Sequence, residues 1–233
     1  MTYTVICRDP SSGVVGIGIA TYSLAVGATC PHARAGVGAV STQAATNERL
    51  GPELLDLLQQ GDDVESAFSV LENSDQYFQY RQIGLVTWDG QAAVHTGSST
   101  RDWKGSVTGE GWLVMGNVLS GAEVVDAMAD TCRSGSEMAL PERILAVLEA
   151  GRDAGGQKGS TGHLPERSSA LIVQGSATVP VPDLRVDDHP TAVDELRRIH
   201  ARFARASTYY AERSSNPDRI VAQDVWMRDN GIT

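Results

Sequence analysis

The chain opens Met1-Thr2-Tyr3-Thr4-Val5-Ile6-Cys7-Arg8-Asp9, continues Pro10-Ser11-Ser12-Gly13, and then runs Val14-Val15-Gly16-Ile17-Gly18-Ile19-Ala20. Two β-branched, apolar runs flank a Pro/Ser/Gly turn signal, so Thr2–Cys7 and Val14–Ala20 are expected to form a hairpin. Both runs are apolar on both faces, as in a sheet covered on each side. Thr2 heads the first strand directly after the initiator methionine. Its side chain is small enough for that methionine to be removed. A terminal threonine then carries a nucleophile and a base in one residue, its hydroxyl attacking and its α-amine taking the proton. An α-amine titrates near ~7.7–8.0, so part of it is neutral near pH 7, as a general base must be.

Working outward, a third strand is expected over Gly36–Ala44. Leu50, Leu54, Leu57 and Leu58 mark one helix ending near Gly61, and Val64, Ala67, Phe68 and Leu71 mark a second. Gln82–Trp88, Ala92–Thr96 and Gly111–Met115 read as strands, the first two joined at Asp89-Gly90. Helices follow near Glu123–Cys132 and Pro141–Ala150. Arg152–Pro165 reads as a flexible loop. Strands Ser169–Gln174 and Asp183–Val186 come next. Pro190 then opens a long helix, with Asp188 as its expected N-cap. Runs of strands alternate with runs of helices, which points to α+β with helices packed on antiparallel sheets. One domain is expected over residues 1–207, with 208–233 a tail of uncertain order.

The 233 residues carry 19 Lys+Arg against 29 Asp+Glu, a net charge of -10. Such a surface repels phosphate backbones and anionic membranes, so neither nucleic acid nor membrane is an expected partner. No apolar run approaches the ~20 residues of a membrane helix. No secretory signal is visible, and Cys7, Cys30 and Cys132 are odd in number and widely spaced, so a reduced, cytoplasmic protein is expected. Gly16-x-Gly18-x-x-Thr21 sits inside a strand and lacks the third small residue of a dinucleotide fingerprint; its glycines are expected to admit a neighbouring backbone. Gly155-Gly156-Gln157-Lys158-Gly159-Ser160-Thr161 has its lysine on the wrong side of the last glycine for a phosphate loop.

Several segments together resemble a known family. Thr2-Tyr3-Thr4-Val5 with Arg8-Asp9-Pro10 is one, and Pro31-His32-Ala33-Arg34-Ala35-Gly36-Val37-Gly38-Ala39-Val40-Ser41-Thr42-Gln43-Ala44 is the most specific. Tyr80-Arg81-Gln82-Ile83-Gly84, Thr108-Gly109-Glu110-Gly111 with Gly116-Asn117-Val118-Leu119, and Asp183–His189 complete the set. From Thr2 to about Arg198 the chain is similar to the bacterial family called domain of unknown function 1028. That family is placed with the N-terminal nucleophile hydrolases. The resemblance implies a four-layer αββα sandwich, two antiparallel sheets between helical layers, with Thr2 as nucleophile. One departure is Ser168, where the family pattern leads us to expect Gln.

An amidase of this type needs a nucleophile, a base and oxyanion donors. Thr2 supplies the first two. Asn117, after Gly116 at a strand end, is the expected oxyanion donor. Ser23, Thr42, Gln43 and Gly116 are expected to line the substrate pocket. Arg34 or Arg81 is expected to hold a substrate carboxylate, or else to pair with an acidic neighbour. Asp187 and His189 are further pocket candidates. A small-molecule substrate, no metal, no cofactor and a homo-oligomer are expected. Two other classes remain: a non-catalytic binder or oligomer of the same fold, and a metal-dependent hydrolase built on Asp183–His189.

Overall fold

The computed structural model describes residues 1–175 and 181–232. The opening hairpin forms as expected, β1 (Thr2–Asp9) pairing antiparallel with β2 (Val14–Thr21). β3 (Pro31–Arg34), β4 (Gly38–Ala44), α1 (Leu50–Gln60) and α2 (Val64–Ser74) follow. Next come β5 (Arg81–Thr87), β6 (Ala92–Thr96), β7 (Lys104–Gly109), β8 (Trp112–Asn117), α3 (Ala122–Ser134) and α4 (Leu140–Asp153). β9 (Gln157–Gly159), β10 (Gly162–Leu164), β11 (Ser168–Gln174), β12 (Asp183–Val186), α5 (Ala192–Ser215) and α6 (Gln223–Asp229) complete the order. The strands build a six-stranded sheet, β12-β11-β2-β1-β8-β7, and a four-stranded sheet, β3-β4-β5-β6, beside the small β9–β10 ribbon. Every neighbouring pair is antiparallel. The fold is mixed α+β, as the element order predicts.

Strand alternation sorts most of the buried side chains into three large clusters, beside a small one of Ile19, Val26, Cys30 and Ala170. Tyr3, Val5 and Cys7 of β1 pack with α3 and α4 through residues such as Val125, Met128, Ile144 and Leu148. Ile6, on the opposite face, joins Val15, Ile17, Leu113 and Met115 against Ala39 and Val86 of the four-stranded sheet. Val40, Ile83 and Leu85 of that smaller sheet pack with Leu50, Leu54, Leu55 and Leu71 of α1 and α2. The helix ends follow local chemistry. Gly61 closes α1 in the left-handed region (φ 103°), its N–H reaching the carbonyls of Leu57 and Leu58. Asp63 caps α2 by accepting the Ser66 N–H at 2.8 Å.

Six details differ from the sequence reading. The expected strand Gly36–Ala44 forms as β4, but it is preceded by a partner the sequence reading did not include, β3, which starts with Pro31; an edge strand tolerates that proline because one side of its backbone is unpaired. β7, polar and half-exposed, carries no apolar signal. The expected loop Arg152–Pro165 contains the β9–β10 ribbon. Fully buried Gln157 fixes it, accepting the Tyr22 N–H (3.0 Å) and donating to Glu166 (3.2 Å). Asp188 does not cap α5: it pairs with Arg167 at 2.6 Å, while the His189 ring accepts the Thr191 N–H at 3.2 Å. The glycines of β2 admit side chains and not backbone, since a Cβ at Gly18 would lie 2.4 Å from Ile144 of α4. After residue 207, α5 continues to Ser215 and α6 follows, Tyr209 stacking 5.0 Å from Trp226. The last tail residue, Thr233, lies outside the described residues.

Candidate functional site

Register sets the site. Thr2 is the first residue of β1, directly opposite Thr21 at the end of β2 and Asn117 at the end of β8. Three strand ends therefore present their side chains side by side on the face turned to the smaller sheet. They open into a cavity of about 430 Å³ lined also by Met1, Ser23, Thr29, Cys30, Thr46, Tyr80 and Arg101. The Thr2 hydroxyl lies 3.2 Å from the Thr21 hydroxyl and donates to the Met1 carbonyl at 2.5 Å. Thr21 also donates to that carbonyl. The N-terminal amine donates to Asn117 Oδ1 at 2.6 Å.

Behind Thr2 lies a buried amide network. Asn117 Nδ2 donates to Gln82 Oε1 at 3.1 Å, and Gln43 Nε2 donates to the same oxygen at 2.8 Å. Gln82 Nε2 donates to the Gly116 carbonyl at 3.0 Å and to Thr96 at 3.1 Å. The Thr4 hydroxyl donates to Gln43 Oε1 at 2.6 Å. Gln43, Gln82 and Thr4 are wholly buried, and Asn117 nearly so. Such groups are retained in a dry interior only when they are hydrogen-bonded, and a chain of amides fixes their orientation. Asn117 thus turns its acceptor oxygen, not only a donor, to the N-terminus. That differs from a pure oxyanion donor, though one of its two Nδ2 hydrogens is enough for Gln82.

The electrostatics favour a neutral amine. The N-terminal amine is pushed down from 8.0 to about 6, chiefly by burial, offset in part by Cys30 and reinforced by the Arg101 cation. Burial raises the Cys30 thiol, so it is held protonated.

The backbone is strained around the same opening. Ala25 (φ 54°), Ala44 (φ 75°) and Val118 (φ 55°) are the described non-glycine residues with positive φ. Ala44 and Val118 line the cavity, and Ala25 lies between its wall residues Leu24 and Val26. Each such residue costs about 1–2 kcal/mol. Strain of that kind persists where surrounding structure enforces it, and it gathers at functional sites.

Of the residues singled out from sequence, Thr2, Asn117 and Ser23 meet at the cavity. Gln43 and Gly116 support its wall through the network. Thr42 points to the other side of β4, its hydroxyl donating to the Asn47 carbonyl at 3.2 Å. Arg34 pairs with Asp56 at 2.8 Å and Arg81 with Asp75 at 2.7 Å, the acidic pairing foreseen as their alternative role. Asp187 pairs with Arg185 at 2.9 Å. None of these last three, nor His189, is among the lining residues. Ser168 donates to the Ser23 carbonyl at 2.7 Å and accepts the Val26 N–H at 3.0 Å, tying down the loop that carries Ser23. Thr21, Gln82 and Arg101 complete the site without having been assigned a role from sequence. The sequence signal for Thr21 was its place opposite Thr2 across the hairpin; Arg101 offered none. Among the described residues, no group of three or more His, Cys, Asp and Glu is placed to hold a metal. Nor is any helix long and apolar enough to cross a membrane.

Comparison with known proteins gives a strong structural likeness. The crystal structure of protein SPO2555 from Silicibacter pomeroyi, of the DUF1028 family, is 28% identical with a TM-score of 0.81, over 95% of this chain and 99% of that one. Anbu (ancestral beta-subunit) from Yersinia bercovieri is 12% identical, with a TM-score of 0.38 over 85% of this chain and 93% of its own, too faint a likeness to argue from. No curated protein matches the chain. The model of the family of unknown function DUF1028 matches residues 2–196, and the chain belongs to that family.

Proposed function

We propose that this protein is an N-terminal-threonine hydrolase that cleaves an amide, cyclic amide or related C–N bond of a small metabolite. The frame for it is a four-layer αββα sandwich of the N-terminal nucleophile type over residues 1–207, in a homo-oligomer. The observation that carries the reading is the placement of the Thr2 hydroxyl at the cavity, beside a buried position where an amine is held near pKa 6.

Removal of Met1 frees the Thr2 α-amine and clears the Met1 carbonyl from the two threonine hydroxyls. The neutral amine takes the Thr2 hydroxyl proton as the oxygen attacks the substrate carbonyl carbon. The developing oxyanion is met by the Thr21 hydroxyl, which now donates to the Met1 carbonyl oxygen, and by the second Nδ2 hydrogen of Asn117. Asn117 Oδ1 keeps the amine oriented. The protonated amine passes its proton to the leaving nitrogen, the C–N bond breaks, and an ester on Thr2 remains. Water, deprotonated by the same amine, then hydrolyses the ester and restores Thr2.

The test is Thr2→Ala assayed against a panel of small linear and cyclic amides. Turnover is expected to fall by at least about 10³, with an unchanged melting temperature, because alanine keeps the strand pairing and removes only the attacking oxygen. Thr2→Ser should retain part of it. Wild-type turnover by Thr2→Ala would overturn the reading.

A further inference from the structure

The cavity beside Thr2 holds one fixed charge. No Asp or Glu is among its lining residues, and Arg101 is the sole Lys or Arg there. In a chain with ten more acidic than basic residues, an arginine has many carboxylates to pair with, and most of the others do so. Among the described residues, Arg101 makes neither an ion pair nor a side-chain hydrogen bond. Its backbone is nevertheless fixed, the carbonyl accepting the Val118 N–H at 3.3 Å beside the strained Val118. An adjoining groove shares Met1, Arg101 and Val118 with the cavity and runs on past Asp102, whose carboxylate pairs with Lys104 at 3.7 Å, to Lys158, whose ammonium makes no ion pair among the described residues. The acidic surface repels anions at long range, so an anionic ligand needs local cations; Arg101 lines the cavity, and Lys158 lines the groove that adjoins it.

We propose that the substrate is a small amide that carries a carboxylate. Arg101 binds the carboxylate while the scissile carbonyl faces Thr2, and Lys158 adds attraction from the groove. The guanidinium fork matches a carboxylate bidentately, and a single cation in the cavity matches a monoanion better than a phosphate dianion. The proposal rests on the reading of Thr2 as nucleophile.

The test separates the two ideas by measuring binding in Thr2→Ala, whose turnover is expected to be at least about 10³-fold slower. The probes are malonamate, succinamate and glutaramate, each set against its neutral diamide. At least one carboxylate is expected to bind tenfold or more tightly than its diamide. In Arg101→Gln that ratio should drop fivefold or more, with a smaller drop in Lys158→Gln. Arg202→Gln, a residue of α5 that does not line the cavity, should leave it unchanged. Ratios below tenfold for every pair, absence of binding included, overturn the proposal. So does a drop under fivefold in Arg101→Gln. A carboxylate preference lost in Arg101→Gln, with turnover of the same probe surviving Thr2→Ala, would keep the anchor and overturn the nucleophile.

Discussion

The space between the two sheets has two ends, both lined by buried side chains and chemically opposite. At one end Ile6, Ile17, Ala39, Val86, Leu113 and Met115 form an apolar layer with no polar side chain among them. At the other, along the same strands and at the same burial, stand Thr2, Thr4, Thr21, Ser41, Gln43, Gln82 and Asn117. β1 passes through both, its inward face changing from Thr2 and Thr4 to Ile6 within one turn of the pleat. Apolar side chains at the second end would stabilise the sandwich with no amide to satisfy. The chain instead keeps a connected set of amides and hydroxyls there, surrounded by the strained backbones of Ala44 and Val118. A stability requirement alone does not call for that arrangement; under the proposed mechanism it holds a terminal amine and hydroxyl in fixed positions.

Substitutions at the two ends should therefore fail differently. In the apolar half, Leu113→Ala should cost about 2–5 kcal/mol of stability, read by denaturant unfolding, and leave turnover per folded molecule near wild type. In the polar half, Asn117→Ala should cut turnover by roughly 10²–10³ through loss of an oxyanion donor and of the amine's partner. A fall in melting temperature with unchanged turnover would make Asn117 a turn residue and erase the contrast.

Gln82→Met should do some of both. It strands the Gln43 and Asn117 amides, a penalty of about 1–3 kcal/mol, and frees Asn117 to rotate. The smallest effect is on pH dependence. The base must be neutral, so kcat/KM falls as pH drops through the amine pKa. The site holds the Met1 amine at about 6, and the same burial should place the acid limb of the processed enzyme below 8. Arg101→Gln removes a cation that opposes protonation, so the limb should move to higher pH. A downward move would contradict the electrostatic account.

Much of the fold was legible because alternation and helical spacing survive in single segments: the β1–β2 hairpin, the Leu-rich α1 and the Asp89-Gly90 turn each carry their own signal. β3 and β7 were not, because edge strands need no apolar face, and β9–β10 was not, because the buried contacts of Gln157 override a loop-like composition. At the site, Thr2 could be singled out from its position after Met1 taken together with the family resemblance. Asn117 could be placed at a strand end but not oriented, since its direction is decided by Gln82 from the other sheet. Arg101 was invisible because what distinguishes it is the absence of a carboxylate beside it, a property of three-dimensional neighbours.

The most direct measurement of the central claim is the intact mass of the purified, active protein, taken before and after acid quenching during turnover of an amide that it cleaves. The account predicts a mature chain beginning at Thr2, with Met1 absent, and a quenched species heavier by the acyl group, the ester mapping to Thr2. Full activity in protein that retains Met1, or an acyl group mapped to any other residue, would contradict it.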